Sequence, residues 1–380
     1  MNLISDESPL LIVVGSGGVG KTTLAASLGL ASARRRRDTL VMTFDPSLRL
    51  KDAMGVGEEA RERPVPVDLS AIDGVGGEDA AAGTGSDTDS DSGTGRLEAS
   101  LLDARRTFDR LITRYAPDQE SRDRILGNRF YHHLSGHLAG ILEYMAVERL
   151  WEVAEAGEYQ QILLDTPPTR QALDFLEAPS RIVSFLESGA LKIALKPWFD
   201  GSGNLKATSR WGFLGRGVER FLDEMVGLGL LRDMAEFFQA FEPLFEGFRE
   251  RARKVEDLLR SPKTLFVLVS GPGEERIPDT LFFARRLREA GYRLGPVVVN
   301  RFHPQLPAPP GGAGGKGDPC HVDGRHLLHW LGERDREGLG QLQELLGEGT
   351  PLAALPLLPD EPTDLPALAE IGEDLLHRLR

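Results

Sequence analysis

The sequence predicts an α/β fold: a mostly parallel, open sheet carrying a large helical subdomain. Three observations predict it. Apolar runs at Leu10–Val14, Thr39–Phe44, Gln161–Leu164, Thr264–Ser270 and Pro296–Asn300 read as buried strands. Stretches of helical periodicity separate them. The first two runs are joined by a single helix, Leu24–Arg36, which calls for a right-handed crossover and a parallel pair.

The first strand and helix flank Gly15-Ser16-Gly17-Gly18-Val19-Gly20-Lys21-Thr22-Thr23. Strand, glycine loop, Lys-Thr and helix form the phosphate-binding loop of nucleoside triphosphatases. Gly17, Gly18, Val19 and Gly20 let backbone N–H groups line an anion nest, and the helix N-terminus adds partial positive charge. Lys21 can reach the β- and γ-phosphates. The Thr22 hydroxyl can hold Mg²⁺, and Thr23 follows it into the helix.

The second strand ends in Asp45-Pro46, so Asp45 lies at a carboxyl end, where open α/β sheets bind ligands. A carboxylate there can orient the water that attacks the γ-phosphate, or simply cap a turn. Asp165 ends the next strand as a metal-associated carboxylate does, with helix capping as the other role. Asn300 ends the strand Pro296–Asn300, and its amide offers both a donor and an acceptor to a base edge. Spacing alone does not single it out.

The remaining chain is read in order. Val56–Gly95 has little core-forming capacity, and its Gly/Ser/Asp/Thr stretch Gly74–Gly95 reads as a disordered acidic surface insertion with no catalytic role. Leu97–Tyr115 is predicted helical, with Leu97, Leu101, Phe108, Leu111, Ile112 and Tyr115 on one face. Helical character continues over Asn128–Ala156 and Gln171–Leu259. Pro243 should bend the second of two apolar runs, Val218–Met225 and Met234–Phe248. These runs read as core rather than as a client groove. His326–Gly332 and Gly338–Leu346 read as two short helices, Leu352–Leu358 as a strand and Ala367–Leu379 as a closing helix. The expected organisation is one domain over residues 1–380, with the helical subdomain at about 97–160 and 171–259.

Composition excludes several classes. The 380 residues are 41% hydrophobic and 27% charged, ordinary for a globular chain. No apolar stretch approaches the ~18–20 residues of a transmembrane segment, and no basic-then-apolar leader is present. The single cysteine, Cys320, cannot build a disulfide framework. A cytoplasmic location is expected. A net charge of −13, with Arg34–Arg37 at a helix end as the one basic run, argues against nucleic acid as a partner. Cys320, His321, His326 and His329 are irregularly spaced and read as a solvated loop and helix start rather than a zinc site.

Taken together, the loop GSGGVGKTT, the turn DPSLRLKDAM from Asp45, the segment DTPPTRQALDFLEAP from Asp165 and the strand end VVVNR resemble the anion-transporting, ArsA-like ATPases. That family includes arsenite-pump ATPases and the ATPase that targets tail-anchored membrane proteins. The resemblance runs from Leu10 to the C-terminus outside the acidic insertion. It implies ATP and Mg²⁺ as cofactors, with Lys21 and Thr22 on phosphate and metal. It implies Asp45 as the carboxylate beside the attacking water, Asp165 as the start of the second switch, and Asn300 on the adenine with Leu355–Leu358 nearby. It also implies a homodimer, or a heterodimer with a paralogous ATPase, and a protein or membrane-complex client.

The chain departs from the family in three respects. Its loop usually reads G-K-G-G-V-G-K-T, with the first Lys crossing to a partner's phosphates; this chain has Ser16 there. The Cys-x-x-Cys zinc pair of the targeting members is absent, and one cysteine cannot make an arsenite site. The expected function is a cytosolic Mg-dependent ATPase coupling nucleotide state to a helical client-binding subdomain. The alternative is a nucleotide-binding interaction subunit of little turnover that works with a paralogue. A GTPase is disfavoured because Asn300 is followed by Arg301 and Phe302 rather than by a guanine signature.

Overall fold

A computed structural model of the chain describes residues 3–44, 49–73, 93–132, 141–167, 176–184, 228–308 and 324–380. The chain divides into two compact units, Met1–Leu102 with Val153–Ala172 and Leu259–Arg380, and Asp103–Glu152 with Leu173–Leu258.

The first unit holds an eight-stranded sheet of β1 (Leu10–Gly15), β2 (Thr39–Thr43), β3 (Val65–Pro66), β4 (Leu97–Leu101), β5 (Gln161–Asp165), β6 (Thr264–Ser270), β7 (Leu294–Phe302) and β8 (Leu352–Pro356), in the order β3-β4-β2-β5-β1-β6-β7-β8. All neighbours are parallel except β3, which pairs antiparallel with β4 at the edge. β1, β2, β5 and β6 are buried along their whole length, as parallel strands covered on both faces must be. The register sets Val13 beside Asp165, and Thr43 beside Asp165 from the other side. Three strand ends therefore converge on one point.

The helices of this unit are α1 (Lys21–Ala33), α2 (Arg49–Met54), α3 (Ser70–Asp73), and, later in the chain, α9 (Ile277–Glu289), α10 (Gly324–Leu346) and α11 (Leu365–Arg378). α1 is buried on nearly every side, so its Ala/Leu/Ser composition suits close packing rather than an amphipathic face. Leu368, Ala369, Leu375 and Leu376 of α11 share its core. A two-pronged ion pair from Arg35 to Glu373, 2.6 Å on each prong, ties the turn after α1 to the body of α11. The basic run is thus used for a specific contact between helices, beyond the helix-dipole role read from sequence.

Four expectations are corrected. Leu97–Leu101 is a strand rather than the start of a helix: Leu97, Ala99 and Leu101 face the core with strand alternation, and the helix begins only at Ala104, capped by Asp103. Residues 56–72 do contribute to the core, since Val56, Ala60, Val67 and Ile72 are buried in it. The two short helices expected over His326–Leu346 are one helix. Gly332 does not break it; a Cβ there would lie 2.5 Å from the Pro304 carbonyl oxygen, so the glycine permits the 303–306 segment to run against the helix. Leu352–Leu358 is strand only as far as Pro356.

The second unit is helical: α4 (Ala104–Tyr115), α5 (Gln119–Leu126), α7 (Leu228–Phe241), and most of α6 (Ile141–Ala156) and α8 (Phe245–Arg260). Pro243 sits in the short 3₁₀ turn Glu242–Leu244 that separates α7 from α8. Phe108, Tyr131, Phe237, Phe241 and Phe248 form its core, with Phe237 and Phe241 stacked at 5.2 Å. A buried ion pair joins Arg251 to Glu148, and the guanidinium lies between the Tyr115 and Trp151 rings at 4.6 and 4.8 Å. Burial pushes the Glu148 carboxyl above its ordinary range, against the pull of Arg251.

Asp45, the residues 74–92 of the acidic insertion, Val218–Met225, Cys320 and His321 lie outside the described residues.

Candidate nucleotide site

The site is built where β1 ends. Gly15 and Gly20 are places where only glycine fits: a Cβ would come within 2.1 Å of the Val269 carbonyl oxygen and 2.3 Å of the Asn300 amide nitrogen, respectively. Gly20 also has φ 93, a left-handed conformation, and caps α1 without any side-chain hydrogen bond. No acid sits in the first turn of α1. The amides at that end, with the helix dipole behind them, are suited to an anion.

Lys21 is 7% exposed, and its ammonium donates to the Ser16 carbonyl oxygen at 2.9 Å, so it curls over the loop. Thr22 donates its hydroxyl to Asp165 Oδ2 at 2.7 Å. Thr43, from the end of β2, donates to the same oxygen at 2.9 Å. Asp165 is fully buried. Its backbone carbonyl accepts from Phe44 N at 3.2 Å, which fixes the β2 exit that leads to residue 45. Thr166 in turn bonds the Val13 carbonyl through its hydroxyl at 2.8 Å.

The donor set of one hydroxyl and one carboxylate is hard oxygen, the chemistry Mg²⁺ prefers over softer metals. Thr22 and Asp165 therefore fit that ion. Among the described residues, no group of three or more His, Cys, Asp or Glu side chains gathers into a rival metal centre. His329 is occupied with the Leu306 carbonyl at 2.7 Å, and His303 with the buried Asp335 at 2.6 Å.

A cavity of about 450 Å³ opens beside the loop, lined by Gly20, Thr23, Asn300, Arg301, Leu355–Pro362 and the α11 face that bears Ala367 and Ile371. Its size is that of a small-ligand site. Asn300 lines this cavity, and both ends of its amide also meet protein: Nδ2 donates to the Val19 carbonyl at 2.9 Å and Oδ1 accepts from Arg301 N at 2.9 Å. It braces the phosphate loop from behind.

The structure thus brings Gly20, Lys21, Thr22, Thr23, Asp165 and Asn300 together around one loop and cavity. Thr43 escaped the sequence reading. The available signal was a hydroxyl residue closing the strand two positions before Asp45. Arg301 escaped too, being visible only as the residue after Asn300.

A family model described as anion-transporting ATPase matches residues 9–81 and 114–376. The curated relatives include the ATPase get3 of Aspergillus terreus, 25% identical over 97% of this chain and 90% of its own length. The ATPase GET3 of Pyricularia oryzae is 26% identical over 98% of this chain and 92% of its own. The ATPase get3 of Neurospora crassa is 25% identical over 77% and 72%. Among the described residues, no helix is long and apolar enough to cross a membrane.

Proposed function

We propose, for a chain that belongs to the anion-transporting ATPase family, that it binds ATP with Mg²⁺ at the β1–α1 loop, hydrolyses it, and passes nucleotide state to its helical unit. The observation that carries the reading is the pair of hydroxyls, Thr22 and Thr43, on a fully buried Asp165 beside an uncapped helix N-terminus.

Mg²⁺, when bound, neutralises charge on the β- and γ-phosphates during transfer. Thr22 and Asp165 are the groups that would hold it. The loop amides and Lys21 bind the triphosphate, with Lys21 exchanging the Ser16 carbonyl for a phosphate oxygen. Asp45 orients the attacking water. The water oxygen bonds to the γ-phosphorus, the bond to the bridging oxygen breaks, and ADP leaves with that electron pair. The water's protons pass to Asp45 and the phosphate product. Asn300 and Leu355–Leu358, which line the cavity, would meet the nucleoside.

The Phe44–Asp165 backbone bond favours coupling, because any shift of Asp165 moves the β2 exit. A client protein or membrane complex would engage the helical unit, and the working form would be a homodimer or a heterodimer with a paralogous ATPase. The relatives are named ATPases, which favours turnover over a purely binding role. Calorimetry with Mg-ATP should show binding that Lys21→Ala abolishes, and Asp45→Asn should bind ATP yet turn it over slowly. No heat from the wild type, or full turnover by Asp45→Asn, would overturn the corresponding part.

A further inference from the structure

Arg301 stands where the backbone prefers glycine. Between Val299 and Phe302, β7 takes three steps while its neighbour β8 takes two, Ala354 to Pro356. The extra residue makes a bulge, and bulges beside sites re-aim side chains. Arg301 absorbs it with φ 63, a left-handed conformation that L side chains rarely adopt. Glycine or asparagine would sit there with less strain. An arginine held in this conformation points to a use for its side chain.

That side chain is placed on the nucleotide cavity. Its Nη1 donates to the Gly18 carbonyl oxygen of the phosphate loop at 3.3 Å. Its Nη2 lies 3.8 Å from Glu361, and the side chain is 53% exposed. Asn300 and Arg301 thus grip two successive loop carbonyls, Val19 and Gly18. Among the described residues lining the cavity, Arg301 is the one cation, against Asp360, Glu361, Glu370 and Asp374. Asp374 is engaged by Arg378 at 2.8 Å; Glu361 faces Arg301 loosely. Such a wall repels a polyanion unless a positive charge offsets it.

We propose that Arg301 is a nucleotide-binding residue that supplies this charge, exchanging its loose contact with Glu361 for the nucleotide's phosphates. The inference rests on the reading of the cavity as a nucleotide site. Arg301 acts on affinity through charge, so its weight scales with the number of phosphates.

The test is calorimetry on the full chain with ATP, ADP and adenosine, comparing wild type with Arg301→Gly and Arg301→Lys. The glycine variant relieves the backbone, so its thermal midpoint should stay within about 2 °C of wild type or rise. It should bind ATP about tenfold more weakly and ADP less so, with adenosine within about twofold, and added salt should narrow the ATP gap. Arg301→Lys keeps the charge and should keep most of the ATP affinity. Equal ATP affinity in wild type and Arg301→Gly overturns the proposal, as does an equal loss for ATP and adenosine. A wild type that binds no ATP overturns the nucleotide reading itself, so the two failures are distinguishable.

Discussion

Asp165 in the sheet unit and Glu148 in the helical unit are both carboxylates without exposed surface, yet they are satisfied in opposite ways. The hydrogen bonds described for the Asp165 carboxylate come from two hydroxyls, Thr22 and Thr43. Glu148 meets a guanidinium, Arg251, and the Tyr144 phenol at 2.8 Å. A hydroxyl can keep its hydrogen on a carboxylate while its oxygen turns to a cation, so the first arrangement can admit an ion. A guanidinium wedged between two aromatic rings has no such freedom. The lesson is that a buried acid marks a binding site by the kind of partner it has, more than by its burial.

The contrast can be broken at several strengths. Asp165→Asn should lower Mg²⁺-dependent ATP turnover by about 10²–10³-fold, the range seen when one charge-stabilising group is removed; the fold, followed by circular dichroism, should persist. Turnover at the wild-type level would remove Asp165 from the site. Glu148→Gln removes the closest counter-charge of the buried Arg251, leaving Glu152 at 3.6 Å, and should destabilise the helical unit by about 2–3 kcal/mol in urea unfolding, less than for a fully unpaired buried charge, while ATP affinity measured by calorimetry stays put. Replacing both members, Glu148→Leu with Arg251→Met, should recover most of that loss.

Thr43→Val sharpens the comparison from the hydroxyl side. It removes one hydrogen bond, worth about 1 kcal/mol, so the Mg²⁺ concentration for half-maximal binding of Mg-ADP should rise about fivefold. Thr43→Ser should restore it.

The smallest effect is pH-dependent. The Arg35 hydrogen bonds hold the Glu373 carboxyl below its ordinary value of 4.5. A lowered folded value means stability that is present above about pH 4.5 and lost as pH falls through the folded value. Glu373→Gln should therefore cost under about 1 kcal/mol at pH 7, because the pair is partly exposed, and progressively less as pH falls below 4.5. A difference that does not shrink as pH falls would show that packing, not charge, is lost.

Much of this was legible in sequence because the central strands are continuous apolar runs that end in the residues of interest. Asp165 stood out that way, Lys21 and Thr22 through the glycine loop that follows the first run, and Asn300 through the family resemblance; the structure gathers them around one loop. Where reading failed, a short element satisfied two periods at once. Leu97 and Leu101 fit a helix face at a spacing of four, and fit a strand face equally well at twice two. Gly332 looked like a stop because its close neighbour, Pro304, is distant in sequence. Thr43 and Arg301 gained their meaning from strand register and a bulge, which are properties of pairing between segments far apart.

The Arg35–Glu373 pair joins positions 338 apart in the chain. The helix that carries the phosphate loop is therefore sheathed by a helix that is synthesised much later than itself. During synthesis its apolar surface must wait for all the residues between, and contacts of such long range are slow to form. Nascent chains halted before Leu365 should be greedy for chaperones, and competence to grip nucleotide should arrive only once that helix has emerged.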